Sequence, residues 1–401
     1  MSLLSADSAL SAEVTKKFNF IPLWIAYVAF PLSYLLTDYL GVQFWRNWID
    51  VAWILLTLSS MTLRYRKSKI RIHTITPVAL MMVVLFGVML ALGAVAIGAV
   101  PPVTAALELK PLYFLMVAVI LVSNGVTPIP QQFCRAGVIL SVVLVAEAAL
   151  RSLYIGGLER PVGSGEVNYD ASLILLSLVF ALAKRDLAKR YAPILFVGLL
   201  ASFSRTGLVA ACLMLLISRT ISVPLKIIAI IAALTGVVIS FQIRGLDLTA
   251  IEGMDRYWMW VVGIKHFATH WTSLAINLAP GSSIDLDVPP YLFDLWQTQQ
   301  EKLELEGIFP FHFHAMWMRV FFGWGWVPLL ILLLMLIQML FVPRGMPVDS
   351  RIYACTCLVL GLTMGLFYLS NVGVPYFLAW AHIRGQSIAR KRQSNLDSYG
   401  T

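Results

Sequence analysis

Charged residues are scarce in this chain, since only 13% of its 401 residues are Asp, Glu, Lys or Arg. A soluble globular domain carries about 25% charged residues, so the composition argues against a soluble protein. Hydrophobic residues make up 59% of the sequence. So much apolar surface needs a second apolar solvent, and a lipid bilayer supplies one. We therefore expect an integral membrane protein.

Cysteine is also rare, and its placement excludes a disulfide framework. The cysteines lie in or beside apolar runs, where they are expected to be small buried residues. They are Cys134, Cys212, Cys355 and Cys357. The net charge of +9 does not indicate nucleic-acid binding, because the basic residues form short clusters between apolar runs, as in cytoplasmic loops of membrane proteins. No cleavable signal peptide is expected, since the first apolar run, 21–40, is long enough to stay in the membrane.

Apolar runs, by contrast, recur along the whole chain, and most approach the roughly 20 residues that a helix needs to cross a bilayer. We predict an all-α, polytopic transmembrane domain that covers residues 1–401 and contains about twelve spans. The predicted spans lie near 19–40, 48–63, 77–99, 104–123, 136–155, 168–183, 191–203, 206–218, 224–243, 315–341, 352–370 and 373–383.

The basic clusters predict the orientation of these spans. Those at 184–190 and 219–226 both belong in the cytoplasm, so the apolar stretch between them must cross the membrane twice. We expect this stretch to break at Ser204-Arg205, which places Arg205 at the periplasmic face. The same rule places both termini in the cytoplasm. It also makes 244–314, a segment without a spanning run, a large periplasmic loop, and long loops are usually functional.

Two arginines on the predicted periplasmic side are candidates for anion binding. Arg205 lies at the start of a helix between apolar segments, where an arginine is costly and where the helix dipole adds positive charge. Arg256 opens a tryptophan-rich segment that we expect to lie along the membrane surface, and its planar guanidinium suits phosphate oxygens. Arg160 and Lys110 are further candidates to line an anionic cavity, although pairing within the protein would explain them equally well.

Other side chains in the predicted loop suggest proton transfer or metal binding. His312 and His314 precede a spanning helix, and a histidine at that membrane edge can act as a base near neutral pH. Asp285 and Asp287 have the spacing of some divalent-ion sites. We interpret them as part of a solvated acidic loop, and we expect neither a metal nor a cofactor.

Four stretches, taken together, resemble the O-antigen ligase and O-antigen polymerase superfamily of bacterial envelopes. Arg160-Pro161-Val162-Gly163, followed by Asn168, is similar to that family's Arg…Gly…Asn stretch, and Ser204-Arg205-Thr206-Gly207 matches its Ser-Arg-x-Gly signature. Arg256 with Trp260 matches an Arg-x-x-x-Trp element of its large periplasmic loop. The resemblance covers about residues 160–330, and the order and spacing of the motifs carry it.

The fourth stretch leaves a choice between the two histidines. His314, with Met318 and Gly325 after it, resembles the His-Asn-x-x-Leu…Gly segment that enters the family's next helix. The chain departs from the family at Ala315, where asparagine is usual. His312 fits the register almost as well, so it remains the alternative.

The resemblance implies a glycosyltransferase of the bacterial inner membrane that acts on the periplasmic side, needs no metal and inverts the anomeric centre. Its donor would be an oligosaccharide linked to undecaprenyl diphosphate, a membrane lipid. The acceptor would be another glycan in a polymerase, with a chain-length regulator as a possible partner, or lipid A-core in a ligase. His314, or His312, would be the base. The residues expected to bind the diphosphate are Arg205, Arg256, Arg160 and Lys110.

The charge of the predicted loop favours the polymerase. From Tyr257 to Phe313, two lysines stand against six acidic residues, a net charge of −4, and this acidic rim would repel the anionic lipid A-core. The rival from another class is a lipid-glycan flippase. A transporter is expected to have charges deep in several helices and related halves. Here the outward cations cluster at one face, and the sequence shows no repeat.

Overall fold

The structure is a computed structural model that describes residues 18–45, 47–65, 75–243, 255–286, 305, 307–341 and 348–399. Within these ranges it excludes the side chains at 63–65, 75–79, 255–256, 348 and 387–399. The described residues form helices and connecting turns, together with one isolated antiparallel bridge between Ile284 and Ile308. The prediction of an all-helical fold is confirmed for this part of the chain.

The helices follow the predicted apolar runs closely along most of the chain. In order they are α1 (Ile21–Leu40, with a π-helical turn at Ile25–Ala29), α2 (Trp48–Tyr65), α3 (Ile75–Ala96), α4 (Pro102–Ser123), α5 (Pro130–Ile155), α6 (Val167–Ala183), α7 (Arg185–Ala201), α8 (Arg205–Ile217), α9 (Val223–Ile243), α10 (Asp255–His270), α11 (Met316–Trp324), α12 (Trp326–Phe341), α13 (Val348–Gly361) and α14 (Gly373–Tyr399).

Four of these helices, α1, α4, α5 and α9, are long and apolar enough to cross a membrane. Helix α9 is the clearest example of a helix suited to lipid, because large apolar side chains such as Ile228, Ile231 and Leu234 are exposed on its surface. Apolar patches of this kind are rare on soluble proteins, whereas lipid accommodates them. The helices are those of a membrane protein; the full number of twelve spans and the periplasmic side of the long loop stay predictions.

Helix α6 lies at the centre of the bundle. Nearly all of its side chains are buried, and it packs against α5, α7, α8 and α13. Small residues let the helices approach: a Cβ on Gly137 of α5 would collide with Ser177 of α6, and one on Gly198 of α7 would collide with Ser141 of α5. Close packing through small residues is characteristic of membrane helices. The first turn of α6, with Asn168, lies close to the start of α8, where a Cβ on Gly207 would be 3.3 Å from Ala171.

The helical stretch is interrupted at the position that the basic clusters predicted. Helix α7 ends at Ala201 and α8 begins at Arg205, so the apolar stretch is two helices rather than one. The turn between them includes Phe203 with a positive φ of 48°, a backbone conformation that L residues adopt rarely. The hydroxyl of Ser240 in α9 donates to the Phe203 carbonyl over 2.8 Å, which ties α9 to this turn.

The predicted span 315–341 is in fact interrupted at Gly325. This glycine has a φ of +98°, and the backbone of residues 274–275 fills the space that a Cβ would need. Trp326 N–H donates to the carbonyl of Leu274 over 2.9 Å, and Val327 N–H donates to that of Ala275 over 3.1 Å. A distant segment thus satisfies the first N–H groups of α12, which would otherwise lack partners.

Two other predicted features also differ. The span predicted at 352–370 ends as a helix at Gly361, where the indole of Trp317 packs against the glycine and donates to the Leu358 carbonyl over 3.0 Å. The chain then forms a turn, defined here as the 362–365 turn, and a short 3-10 helix at Leu366–Tyr368. The long loop, for its part, contains a 16-residue helix, α10, and is therefore partly regular.

Candidate active site

Three segments singled out in the sequence meet at the 362–365 turn. The Thr363 hydroxyl donates to the Thr206 hydroxyl at the start of α8 over 2.8 Å. The indole N–H of Trp260 in α10 donates to the Leu362 carbonyl over 3.0 Å. At the start of α11, Met316 N–H donates to the Met364 carbonyl over 3.0 Å. Segments far apart in the chain are thus hydrogen-bonded to one short turn.

The start of α8 shows why its sequence reads Ser-Arg-x-Gly. The Ser204 side chain caps the helix by accepting a hydrogen bond from Gly207 N–H over 3.3 Å. A Cβ on Gly207 would lie 3.3 Å from Ala171 Cβ, so the glycine lets α8 approach the buried helix α6. Arg205, which follows Ser204 in the sequence, is half-buried, and its Cζ lies 4.4 Å from the centre of the Phe241 ring. The cation therefore lies at a helix start, where the helix dipole reinforces its charge.

Arg160 lies beside the same turn between α7 and α8. Its Nη2 donates to Asn168 Oδ1 over 3.0 Å, and its Nε donates to the Ser202 carbonyl over 3.4 Å. Two buried carboxylates hold the segment that follows it. Glu147 accepts hydrogen bonds from two backbone N–H groups at 162–163, and Asp170 accepts them from the N–H and hydroxyl of residue 164. Arg160 is accordingly positioned by the protein, next to the element that carries Arg205.

Lys110 is paired within the protein, one of the two possibilities that the sequence left open. Its Nζ lies 3.6 Å from Asp50 Oδ2 and donates to the Ser370 hydroxyl over 3.2 Å. Ser370 follows the 3-10 turn after the 362–365 turn, so Lys110 connects α2, α4 and the chain near the site. These contacts give Lys110 a structural role in this conformation.

The two candidate histidines occupy different environments. His312 is 0% exposed, and its Nδ1 accepts the N–H of Phe309 over 2.9 Å. Burial lowers the pKa of His312 to about 4, with the nearby His314 and Arg319 adding to the effect against the Phe309 hydrogen bond. His312 is therefore neutral at pH 7, and with Nδ1 accepting, its proton sits on Nε2. His314, in contrast, is half-buried and lies directly before α11, with its carbonyl facing Gly365.

A buried ion pair that the sequence reasoning missed lies close to His312. Arg319 of α11 donates from Nε to Glu108 Oε1 over 2.9 Å and from Nη2 to the Leu107 carbonyl over 2.9 Å. Its guanidinium also lies 3.8 Å from the centre of the Tyr368 ring, and Glu108 is 0% exposed. The available signal was a pair of opposite charges inside two predicted spans, since charges at such positions are usually paired or functional.

The remaining predicted residues are only partly described. Arg256 falls in the first turn of α10, one turn before Trp260, but its side chain lies outside the described residues. Asp285 is exposed, and Asp287 lies outside the described residues. In the part of the chain that the structure describes, no group of three or more His, Cys, Asp or Glu side chains is arranged to hold a metal ion.

The arrangement combines the elements of an anion site with a proton acceptor. A half-buried arginine at a helix start and a half-buried histidine before another helix both flank the 362–365 turn. No family model matches the chain, and no curated protein or solved structure matches it either.

Proposed function

We propose that this chain is a membrane glycosyltransferase that uses a glycan linked to undecaprenyl diphosphate and acts on the periplasmic face of a bacterial inner membrane. The observation that carries the proposal is the convergence at the 362–365 turn. The segments of Arg205, Arg256 and His314 are far apart in sequence, yet Thr206, Trp260 and Met316 all bond to this turn. A shared location is what a common catalytic role requires.

The chemistry assigns different work to the arginines and the histidine. The acceptor hydroxyl attacks the anomeric carbon of the donor, and its proton passes to His314. The bond from that carbon to the diphosphate oxygen breaks, and the lipid diphosphate leaves with the electron pair. Arg205 and Arg256 bind the diphosphate and stabilise the charge that develops on it, with Arg160 holding the adjacent turn. Direct attack inverts the anomeric centre, and no metal takes part.

The geometry favours His314 over His312 as the base. A base needs a nitrogen lone pair that the acceptor hydroxyl can reach. The Nδ1 lone pair of His312 already accepts the N–H of Phe309, and the ring is buried. His314 lies half-buried beside the turn. We assign His312 to the support of the segment that precedes α11.

Transfer of a lipid-linked oligosaccharide by the purified protein in liposomes, with chelator present, tests the proposal. Replacing His314 with Gln or Ala should lower the rate by about 10² to 10⁴ and leave donor binding nearly unchanged. His312→Gln is the matched control, because a glutamine oxygen can still accept a hydrogen bond from Phe309, and it should retain most activity. An active His314→Gln alongside an inactive His312→Gln would reverse the assignment of the base.

Other outcomes of this assay would remove larger parts of the proposal. Full activity in both histidine variants would contradict a histidine base. Loss of transfer on adding chelator would contradict a metal-independent reaction and would make Asp285 a candidate metal ligand. If the lipid-linked substrate crosses the membrane without any transfer, the chain is a flippase.

Between the two transferase reactions we favour the polymerase, in which the acceptor is another lipid-linked glycan. The acidic loop, with a net charge of −4 from Tyr257 to Phe313, disfavours the strongly anionic lipid A-core of the ligase reaction. Supplying each acceptor to the liposomes separately distinguishes the two. Transfer to lipid A-core alone would establish the ligase instead.

A further inference from the structure

A cavity of about 430 Å³ lies outside the site described above, between α10 and the segment 273–285. Its polar lining includes His266, Ser282, Ser283 and Asp285, and the ring of Phe322 from α11 closes one side. The volume is in the range of small-molecule sites, and a few polar groups set into an apolar wall are typical of such sites.

The lining has the chemistry to bind a polyhydroxylated ring. Carboxylate and hydroxyl oxygens accept hydrogen bonds from sugar hydroxyls, and serine hydroxyls can also donate. The Phe322 ring, with its centre 5.7 Å from that of His266, is buried and closes one side of the cavity, so the polar side chains carry the recognition of a sugar. Among the described residues that line the cavity, Asp285 is the one carboxylate, and no lysine or arginine is present. A phosphate or other anion would therefore be disfavoured beside Asp285.

His266 does not reverse this charge preference. Burial lowers the pKa of His266, with the neighbouring His270 acting in the same direction and Asp285 opposing them. The imidazole is then mainly neutral at pH 7. The lining consequently has a net negative charge and suits a neutral ligand.

The wall of the cavity packs against the segment that carries His314. Phe322 stacks on Phe313, with ring centres 4.7 Å apart, and Phe313 is the residue before His314. His266 lies on the same helix as Trp260, which bonds to the 362–365 turn. Arg205 instead contacts α9 through Phe241. The cavity wall therefore contacts the segment of the proposed base rather than that of the proposed diphosphate site.

We propose that this cavity binds a sugar of the acceptor glycan, a neutral hexose or N-acetylhexosamine unit. The proposal rests on the proposed function, because it takes His314 as the base that acts on the acceptor. The cavity would hold the acceptor chain while its terminal hydroxyl is presented for attack. It would also contribute to the choice of acceptor, since a sugar bearing a carboxylate would be repelled by Asp285.

Filling the cavity tests the proposal in the transfer assay. Ser283→Trp places an indole in the lining, and Thr272→Trp, at an exposed residue outside it, is the matched control. In Ser283→Trp the KM for acceptor should rise by about tenfold or more, the equivalent of one or two lost hydrogen bonds, while the KM for donor stays the same. An unchanged acceptor KM, or an equal effect in Thr272→Trp, would overturn the proposal even if transfer still depends on His314.

Direct binding separates this proposal from the proposed function. Saturation-transfer NMR on the detergent-purified protein, with a panel of methyl hexosides and methyl N-acetylhexosaminides, needs no catalysis. At least one glycoside should give a signal that disappears in Ser283→Trp and persists in Thr272→Trp. Asp285→Asn keeps the size of the cavity but removes its carboxylate. The preference for methyl glucoside over methyl glucuronide should therefore decrease in this variant. Absence of any signal, or a signal that survives in Ser283→Trp, would contradict a sugar site here.

Discussion

Two arginines and two histidines near the 362–365 turn show how the same side chain serves different purposes. Arg319 is 9% exposed and bonds to a carboxylate and a carbonyl, whereas Arg205 is half-buried and lies over an aromatic ring. His312 is fully buried with Nδ1 accepting a backbone N–H, whereas His314 is half-buried next to the turn. In each pair, one residue is buried, and the other is the half-buried residue to which the proposed function assigns a substrate.

The comparison teaches that residue type alone does not identify a catalytic group in a membrane protein. A buried charge is retained when it is paired, because removing one partner leaves the other charged and desolvated. A catalytic group must instead be accessible to the substrate. Exposure therefore distinguishes Arg319 from Arg205 and His312 from His314.

The largest effect on stability is expected at the buried pair. Arg319→Met removes the partner of Glu108 and should lower the free energy of unfolding by about 3–5 kcal/mol. Thermal unfolding of the detergent-purified protein, followed by tryptophan fluorescence, measures the change. Arg205→Met is the matched control at a half-buried arginine, and it should shift the melting temperature less than Arg319→Met does. Equal shifts in the two variants would erase the distinction between the arginines. Adding Glu108→Met to Arg319→Met should recover much of the loss.

For transfer activity, by contrast, the large effect is expected at Arg205. Arg205→Ala should lower the rate by about 10² to 10³, as for removal of one group that stabilises developing negative charge. Arg205→Lys keeps the charge but loses the planar fork, so its rate should lie between those of Ala and the natural residue. Both variants should insert, and their melting temperatures should change less than that of Arg319→Met. Activity close to normal in Arg205→Ala would remove this residue from the diphosphate site.

A smaller effect is expected in the pH dependence of stability, which should depend on the buried His312. The pKa of His312 is about 4 in the folded protein against an ordinary 6.5, so the unfolded chain binds the proton more readily. Stability should consequently fall as the pH drops from about 6.5 towards 4, by at most about 1.4 kcal/mol per pH unit. His312→Gln should flatten that slope in thermal unfolding measured across this range. A slope that is unchanged in His312→Gln would show that other groups cause it.

Much of the helical architecture could be predicted from hydropathy and charge, because both act locally. The break before Arg205 followed from basic clusters on either side, and helices α7 and α8 confirm it. The interruption at Gly325 could not be predicted in this way, since it depends on carbonyls from 274–275. The turn at 362–365 could not be predicted for a similar reason: its sequence is mostly apolar, and its partners Thr206, Trp260 and Met316 belong to distant segments.

The candidate site was predictable as a list of residues but not as a set of contacts. The motifs pointed to Arg205, Arg256 and His314, and the structure adds the turn to which their segments bond. The Glu108–Arg319 pair required knowledge of which helices are neighbours. The motif register already put His314 first with His312 as the alternative, and the hydrogen bond from Phe309 to His312 adds a reason for that order that no sequence pattern reveals.

The interruption at Gly325 has a consequence for the biogenesis of the protein. The first N–H groups of α12 are satisfied by carbonyls of Leu274 and Ala275, which the ribosome synthesises well before Trp326. In the proposed topology the loop must be exported and then wait, with its carbonyls solvated, until α11 and α12 have entered the bilayer. The cavity wall at 273–285 can therefore reach its final position only late in biogenesis. Any quality-control step that recognises the unfinished protein has this interval in which to act.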